Sequence, residues 1–444
     1  MKDSTCKNIE QCNINGIKTK PFGWKETAIR YEIDVLTDYT ANGSFADLKK
    51  NVTYSNTPDY ARVIRLTDLR TDLSEEGVYV TEDAYNFLKK SSLVGDEFLL
   101  ANVGAYAGLS VRMPTIDYPA TLGPNMYLVK FNQRKVDKNY IFYYAKSKHF
   151  YEQLQLIANS SPAQPKINKD DFKSVKLLIA PKNEQVKIAD FLDIKVERIR
   201  TQIKKIKKMI GLLKEKKEII IISAVTKGIN PDVPIKDSNI DWIGKIPKHW
   251  KKSKIKYYAP FFTGWTPPSK LDEYYKGDVP WANISDLGEK YITETENHIS
   301  EEAVEDFKMI PSPKGSILFS FKLSIGQTSF AGIDLYTNEA IATFDKININ
   351  RKYFYYMASV FICKNANENI YGAPILNQYL IKNANIVISD SEIEQQQIAE
   401  FLDVETSKIE RAIKLNSNLI KKLIEYQEAL ITAAVTGKIE VRGE

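Results

Sequence analysis

The sequence predicts a mixed α/β chain: two globular domains separated by two long antiparallel helices, arranged as an internal pseudo-two-fold repeat. Three observations carry this. A segment of about 46 residues occurs twice without a gap, at an offset of 210 positions. Both copies show the apolar spacing of a long helix. Each copy follows a region of roughly 140 to 165 residues in which short apolar runs alternate with helical stretches.

The repeated segment runs from Glu184 to Ile229 and from Glu394 to Ile439, with about 19 identical positions. It opens with EQVKIADFLD in one copy and EQQQIAEFLD in the other, and closes with AVTKGI and AVTGKI. In the first copy Val196, Ile199, Ile203, Ile206, Ile210 and Leu213 step by threes and fours, which is a coiled-coil seam. The second copy gives Ile409, Ile413, Asn416, Ile420, Leu423 and Leu430. Asn416 reads either as a buried polar residue that fixes register or as a solvent-facing position. From Ile188 to Thr226 such a helix is roughly 58 Å long at about 1.5 Å per residue and cannot bury its stripe alone. The two copies therefore pack on each other, and antiparallel pairing gives the chain an approximate two-fold axis.

In the first domain the runs Tyr60 to Leu66, Phe98 to Ala101, Met126 to Phe131 and Val175 to Ile179 read as strands. Thr81 to Lys89 and Tyr140 to Leu156 read as helices. The second domain repeats the order with Val279 to Ile284, Ile317 to Ser320, Ala340 to Phe344 and Ala384 to Ile388. Landmarks recur: Gly23-Trp24-Lys25 with His249-Trp250-Lys251, RVIRLTDL with PWANISDL, and glycine-bearing turns ending at Gly108 and Gly326. The organisation that follows is a tail (1–20), a first domain (21–181), a central helix (182–229), a Pro-containing linker (230–248), a second domain (249–388), a C-terminal helix (389–437) and a tail (438–444).

Composition narrows the function. The 444 residues suffice for two or three cores. No apolar run approaches the roughly 18 residues of a membrane span, and Met1 to Lys7 lacks the core of a signal peptide, so the expected location is the cytoplasm. Three cysteines, Cys6, Cys12 and Cys363, form no disulfide framework and no paired zinc spacing. The histidines, His149, His249 and His298, are scattered, and no metal site is expected. Gly437-Lys438 lacks the rest of a phosphate-binding loop. Thr266-Pro267-Pro268-Ser269 departs at both ends from an amino-methyltransferase motif and reads as a turn. A non-catalytic chain is therefore expected. The formal charge of +6 permits a polyanionic partner without demanding one.

Taken together, the two EQ-x-x-IA-[DE]-FLD segments, the two helices ending in AVT, and IPKHWKKSKIKYYAPFFTGWTPP opening the second half resemble the specificity subunits of type I restriction-modification enzymes. The resemblance extends from about Pro21 onward. It implies two target recognition domains that each read half of a bipartite double-stranded DNA sequence, and two helices that dock two modification (methyltransferase) subunits. It also implies restriction (ATP-dependent translocase/nuclease) subunits as partners. S-adenosylmethionine and ATP would belong to those partners, with no cofactor in this chain. Because the domains differ in sequence, the target should be asymmetric. Two other readings stand beside this one: a coiled-coil assembly scaffold that does not read DNA, and the recognition subunit of a related DNA-modification system.

Residues flanking the strand and turn landmarks are the candidates for DNA contact, because Arg and Lys pair with guanine or phosphate and Asn and Gln with adenine. In the first domain they are Arg62, Arg65, Thr67, Lys89, Lys90, Asn102, Tyr106 and Arg112. In the second they are Lys270, Tyr274, Tyr275, Lys276, Asn283, Lys322, Ser324 and Gln327. A solvated surface role is the rival for each. For partner docking or the helix seam, the candidates are Phe191, Leu192, Ile199, Ile203, Ile206, Ile210, Leu213, Phe401, Leu402, Ile409, Ile413, Ile420 and Leu423. Charge separates the helices: 12 basic against 6 acidic residues from Glu184 to Gly228, but 6 against 7 from Glu394 to Lys438. Lys204, Lys205, Lys207, Lys208, Lys214, Lys216 and Lys217 could meet DNA phosphates, an acidic partner or only solvent.

Overall fold

The structure, a computed structural model, describes residues 9–14, 16–71, 73–159, 164–322, 324–368 and 372–441. Cys6 and the Met1 to Lys7 stretch lie outside the described residues. The chain divides into two compact units, Met1–Ile206 with Asn418–Glu444, and Lys207–Ser417. Each unit therefore holds one domain, part of the helix that follows it, and the end of the other helix.

The first unit contains two four-stranded sheets. One has Val78–Val80, Ala61–Ile64, Ala120–Leu122 and Ser92–Leu93 in that order, with Ala61–Ile64 parallel to Ala120–Leu122. The other has Ile33–Asp38, Met126–Phe131, Phe98–Ala101 and Ser110–Arg112, all antiparallel. Strands Lys25–Ala28 and Lys176–Ile179 pair separately and deliver the chain to the helix. The second unit follows a related plan, with a three-stranded and a five-stranded sheet. Val279–Ala282 runs parallel to Tyr336–Thr337, Ile317–Ser320 lies between Thr328–Ala331 and Ile341–Phe344, and Lys251–Lys254 pairs with Asn385–Ile388. The strands expected from alternation are all present, most within one or two residues of their expected bounds.

The expected helix Tyr140 to Leu156 is instead two helices, Lys138–Ala145 and Lys148–Ala158. Ser147 breaks it: its hydroxyl accepts a hydrogen bond from Phe150 N (3.3 Å) and caps the second helix. The segment read as an N-terminal tail contains an antiparallel hairpin, Ile9–Ile14 with Ile17–Pro21. The linker contains its equivalent, Ile235–Asp237 with Lys245–Pro247. The end pairs Ile9↔Pro21 and Ile235↔Pro247 occupy matching places, so the repeat begins before each domain.

The central helix spans Lys182–Lys227 and the C-terminal helix Glu392–Val435. In the first unit Ile188, Ala189, Leu192 and Val196 share a core with Ile431, Ala434 and Val435. In the second, Ala224 and Val225 share one with Ile398, Ala399 and Leu402. The start of one helix thus packs beside the end of the other in both units, which is antiparallel pairing. Of the seam, Ile199 and Ile409 are buried, whereas Ile203, Ile206, Ile210, Leu213, Ile413, Ile420 and Leu423 are half-buried. Asn416 is half-buried and donates to Ala412 O of its own helix (2.9 Å), so it satisfies itself.

Candidate nucleic-acid interface

The repeated motif has a local physical meaning, and it is identical in the two units. Trp24 Nε1 donates to Glu184 Oε2 (3.1 Å), and Trp250 Nε1 donates to Glu394 Oε2 (3.1 Å). The neighbouring Gln185 accepts from Asp137 N (2.6 Å) and donates to Ala180 O (2.8 Å). Gln395 does the same with Asn350 N and Ser389 O, both at 2.9 Å. Leu192 and Leu402 are fully buried. Tyr143 and Tyr356 each donate a hydroxyl to Asp193 Oδ1 and Asp403 Oδ1 at 2.6 Å. The EQ-x-x-IA-x-FLD sequence is therefore a lock between a helix and the domain before it.

Two of these carboxylates are held below the usual range against the effect of burial, which alone would raise them. Hydrogen bonds from Ser389, His249 and Trp250 do this for Glu394, and from Lys290, Tyr356 and Lys352 for Asp403.

Each domain then presents its own loop chemistry. In the first, Arg70 lies over the Tyr106 ring at 4.5 Å, and Tyr106 is 45% exposed on the glycine-bearing turn. Thr67, Lys89, Lys90 and Arg112 are exposed; Lys90 Nζ donates to Ala41 O (3.1 Å), and Arg112 pairs with Asp96 and covers Phe142 at 4.8 Å. Arg65 is half-exposed but committed to Asp68 through Nη2 (2.8 Å) and Nε (3.0 Å), and this partner raises its pKa.

The structure places Arg62 and Asn102 inside the first domain. Arg62 is 7% exposed, and its guanidinium donates to Leu73 O (3.1 Å) and Glu75 O (2.9 Å), so it pins a loop from inside. Asn102 is 8% exposed, covered where the turn folds back on the sheet. Strand flanks look identical in sequence whether they face water or a returning loop.

In the second domain Lys270, Lys276, Lys322 and Ser324 are exposed, and Lys322 lies 3.4 Å from Glu339. Gln327 is half-buried. Tyr274 donates to Asp306 (2.7 Å) and packs edge-on to Phe307. Tyr275 is half-buried, its hydroxyl donating to Pro267 O (2.5 Å) and its ring packed edge-on against Trp281. Asn283 caps the turn Ile284–Asp286 by accepting from Ser285 N (2.8 Å). Two exposed groups were not anticipated, Arg70 and Trp265. Trp265 is 52% exposed yet rigidly held, with its N donating to Thr337 O (2.9 Å), its O accepting from Trp281 Nε1 (3.1 Å) and its ring stacked on Phe307. A Trp beside a Gly on a turn was the available signal.

Of the residues named for docking or the helix seam, Leu192 and Leu402 lie in the cores that the two helices share within each unit. Phe191 is half-buried against the first core, and Phe401 is exposed on a groove of about 630 Å³ that Ile220, Ile229, Val233 and Ile235 also line. Among the described residues no cluster of three or more His, Cys, Asp or Glu could hold a metal, and no helix is long and apolar enough to cross a membrane.

Two domains joined to two helices by one repeated lock, each with different exposed loops, define a duplicated recognition scaffold. The family model for the type I restriction modification DNA specificity domain matches residues 40–221 and 247–423, and the chain belongs to that family. The type I restriction enzyme MjaIX specificity subunit of Methanocaldococcus jannaschii is 34% identical over 190 residues, 41% of this chain and 44% of that relative's own length. The putative MjaX specificity subunit of the same organism is 24% identical over 451 residues, 98% of this chain and 97% of that one. Among solved structures, a chain from work on the assembly and conformational transition of the type I restriction-modification system superposes with a TM-score of 0.66 at 14% identity. The superposition covers 95% of this chain and 99% of the other. The HsdS subunit of Thermoanaerobacter tengcongensis gives 0.52 at 12% identity, over 96% and 100%. These two likenesses are of fold.

Proposed function

We propose that this chain is the non-catalytic DNA-reading subunit of a type I restriction-modification complex, and that its two domains read the two unlike halves of an asymmetric, interrupted target. The observation that carries the reading is the identical helix-to-domain lock beneath different loops. A shared lock gives both domains the same mounting, and different loops give them different base contacts. The exposed residues proposed to touch DNA are Arg70, Tyr106, Lys89 and Arg112 in the first domain and Trp265, Lys270, Lys276 and Lys322 in the second.

The partners are two modification subunits, which bring S-adenosylmethionine, and restriction subunits, which bring ATP chemistry. Two modification subunits suit a surface that occurs twice: the positions of Phe401, Ile220 and Ile229 on the second unit's groove recur as Phe191, Leu430 and Ile439 on the first. The working compartment is the cytoplasm, where the target DNA lies. The test maps adenine methylation in a host expressing the chain with its modification subunit, then exchanges residues 21–181 for those of another member. The expected result is a bipartite motif that depends on the chain and changes in one half only. A motif that stays whole after the exchange refutes the two-reader account.

A further inference from the structure

From Arg198 to Lys214 the central helix carries seven cations and no carboxylate: Arg198, Arg200, Lys204, Lys205, Lys207, Lys208 and Lys214. All seven are exposed. Among the described residues only Arg200 has an ion pair, with Glu197 at 3.9 Å. Arg200, Lys204 and Lys208 succeed each other at spacings of four, and like charges at that spacing destabilise a helix. Among the described residues the Glu197 pair of Arg200 is the only ion pair that offsets this repulsion, so the run calls for a counter-charge from outside.

The corresponding stretch of the C-terminal helix, Lys408 to Ile424, tells what kind of partner that is. It too is basic, with Lys408, Arg411, Lys414, Lys421 and Lys422 against the single carboxylate Glu410, which pairs with Lys217 (2.5 Å). Two positions match, Arg198 with Lys408 and Lys204 with Lys414, but the other five do not. Lys205, Lys207, Lys208 and Lys214 correspond to Leu415, Ser417, Asn418 and Ile424, and Arg200 corresponds to Glu410. The excess of positive charge recurs while most of its placement does not. A protein docking stereospecifically, twice, would need the same side chains at the same positions in both copies. A polyanion needs only charge density, because phosphates are neutralised without regard to base sequence.

We infer that these basic runs on the two helices are sequence-independent tracks for the phosphates of the duplex, and that this contact, made outside the base-reading loops, sets much of the salt dependence of binding. The inference rests on the proposed DNA-reading function and assigns the helices a direct part in it.

The experiment uses the chain assembled with its modification subunits and a duplex carrying the mapped motif, with affinity measured over a range of salt. One variant carries Lys205→Gln, Lys207→Gln, Lys208→Gln and Lys214→Gln. The slope of log K against log salt should become shallower by about 0.9 for every lysine that meets a phosphate, with the methylated motif unchanged. A second variant re-sites charge, combining Lys205→Gln and Lys208→Gln with Thr201→Lys and Gln202→Lys at exposed neighbouring positions. Its slope should return to the parent value.

An unchanged slope in the first variant, with the complex intact, overturns the inference and leaves the function standing. Loss of the modification subunits, not restored by re-siting, also overturns it and makes the run a protein interface. Failure of the function itself shows elsewhere, as the absence of any bipartite motif in the parent complex.

Discussion

Where domain meets helix, the two units share the same indole–carboxylate and tyrosine–carboxylate bonds; at the rims of their sheets they share far less. Trp24–Glu184 and Trp250–Glu394 have the same 3.1 Å bond, and Tyr143–Asp193 and Tyr356–Asp403 the same 2.6 Å bond. Just past strand Ile33–Asp38 Tyr39 is buried against the hydroxyl of Tyr54, while Trp265, just past strand Phe262–Thr263, stands half in solvent. Arg112 covers Phe142 in the first unit, and in the same place Phe330 stacks on Tyr355 at 4.7 Å in the second. On the proposed reading, function divides along that line: the shared part mounts a domain on a helix, and the unshared part meets two unlike half-sites.

The comparison breaks most visibly if the two locks are energetically unlike. Both tryptophans are buried, and their removal leaves Glu184 or Glu394 without its indole donor. Trp24→Ala and Trp250→Ala should each cost about 3 to 5 kcal/mol, read by urea denaturation of the full chain. A cost several times larger on one side would show that the repeat is geometric without being energetic.

A smaller effect separates the units. Asp193 accepts from Tyr143, whereas Asp403 also takes Lys290 (2.5 Å) and Lys352 (3.0 Å). Lys290 lies on a loop of the second domain, which is thereby tied to the helix by an ion pair that the first lacks at Asp193. Asp403→Ala should cost about 2 to 3 kcal/mol and Asp193→Ala about 1 to 1.5, hydrogen bonds to charged groups being the stronger kind.

The pH dependence has a fixed sign. Asp403 and Glu394 are depressed in the folded state, so on acidification the unfolded chain takes up protons first. Their stabilisation is complete at neutral pH and is lost as pH falls from the ordinary carboxylate range through the folded values. Acid titration of the Asp403→Ala chain should show a shallower loss than the parent. An identical acid profile would remove Asp403 from the account.

These contrasts also explain what could be read without coordinates. The helices were legible because about 19 of 46 positions repeat at one offset. The hairpins Ile9–Pro21 and Ile235–Pro247 were not, because the domains between them differ in length and shift the offset, leaving only scattered matches such as Asn13 with Asn239. The lock was visible as a motif, but its partners Trp24, Tyr143 and Asp137 lie tens of residues away along the chain. Exposure was the least legible, since Arg62 and Arg70 are both arginines near one strand and only tertiary packing buries the first and leaves the second over Tyr106. Binding loops carry no periodicity, so sequence gives their residue types without their exposure.

The smallest effect, and the only stabilising one, sets two glycines against each other. Gly437 sits in the lock of the first unit with φ +73°, and a Cβ there would collide with the ring of Pro21, so Gly437→Ala should destabilise. Gly211 lies inside the central helix, on the surface that the two copies do not share, and a Cβ there meets nothing within 4 Å. Its counterpart in the other helix is Lys421. Gly211→Ala should therefore stabilise by about 0.8 to 1 kcal/mol through helix propensity alone, seen as a higher Tm with an unchanged methylation motif. Destabilisation at Gly211 would mean that the bare backbone serves packing after all, and that the line between shared mounting and unshared surface runs along the helix rather than at its ends.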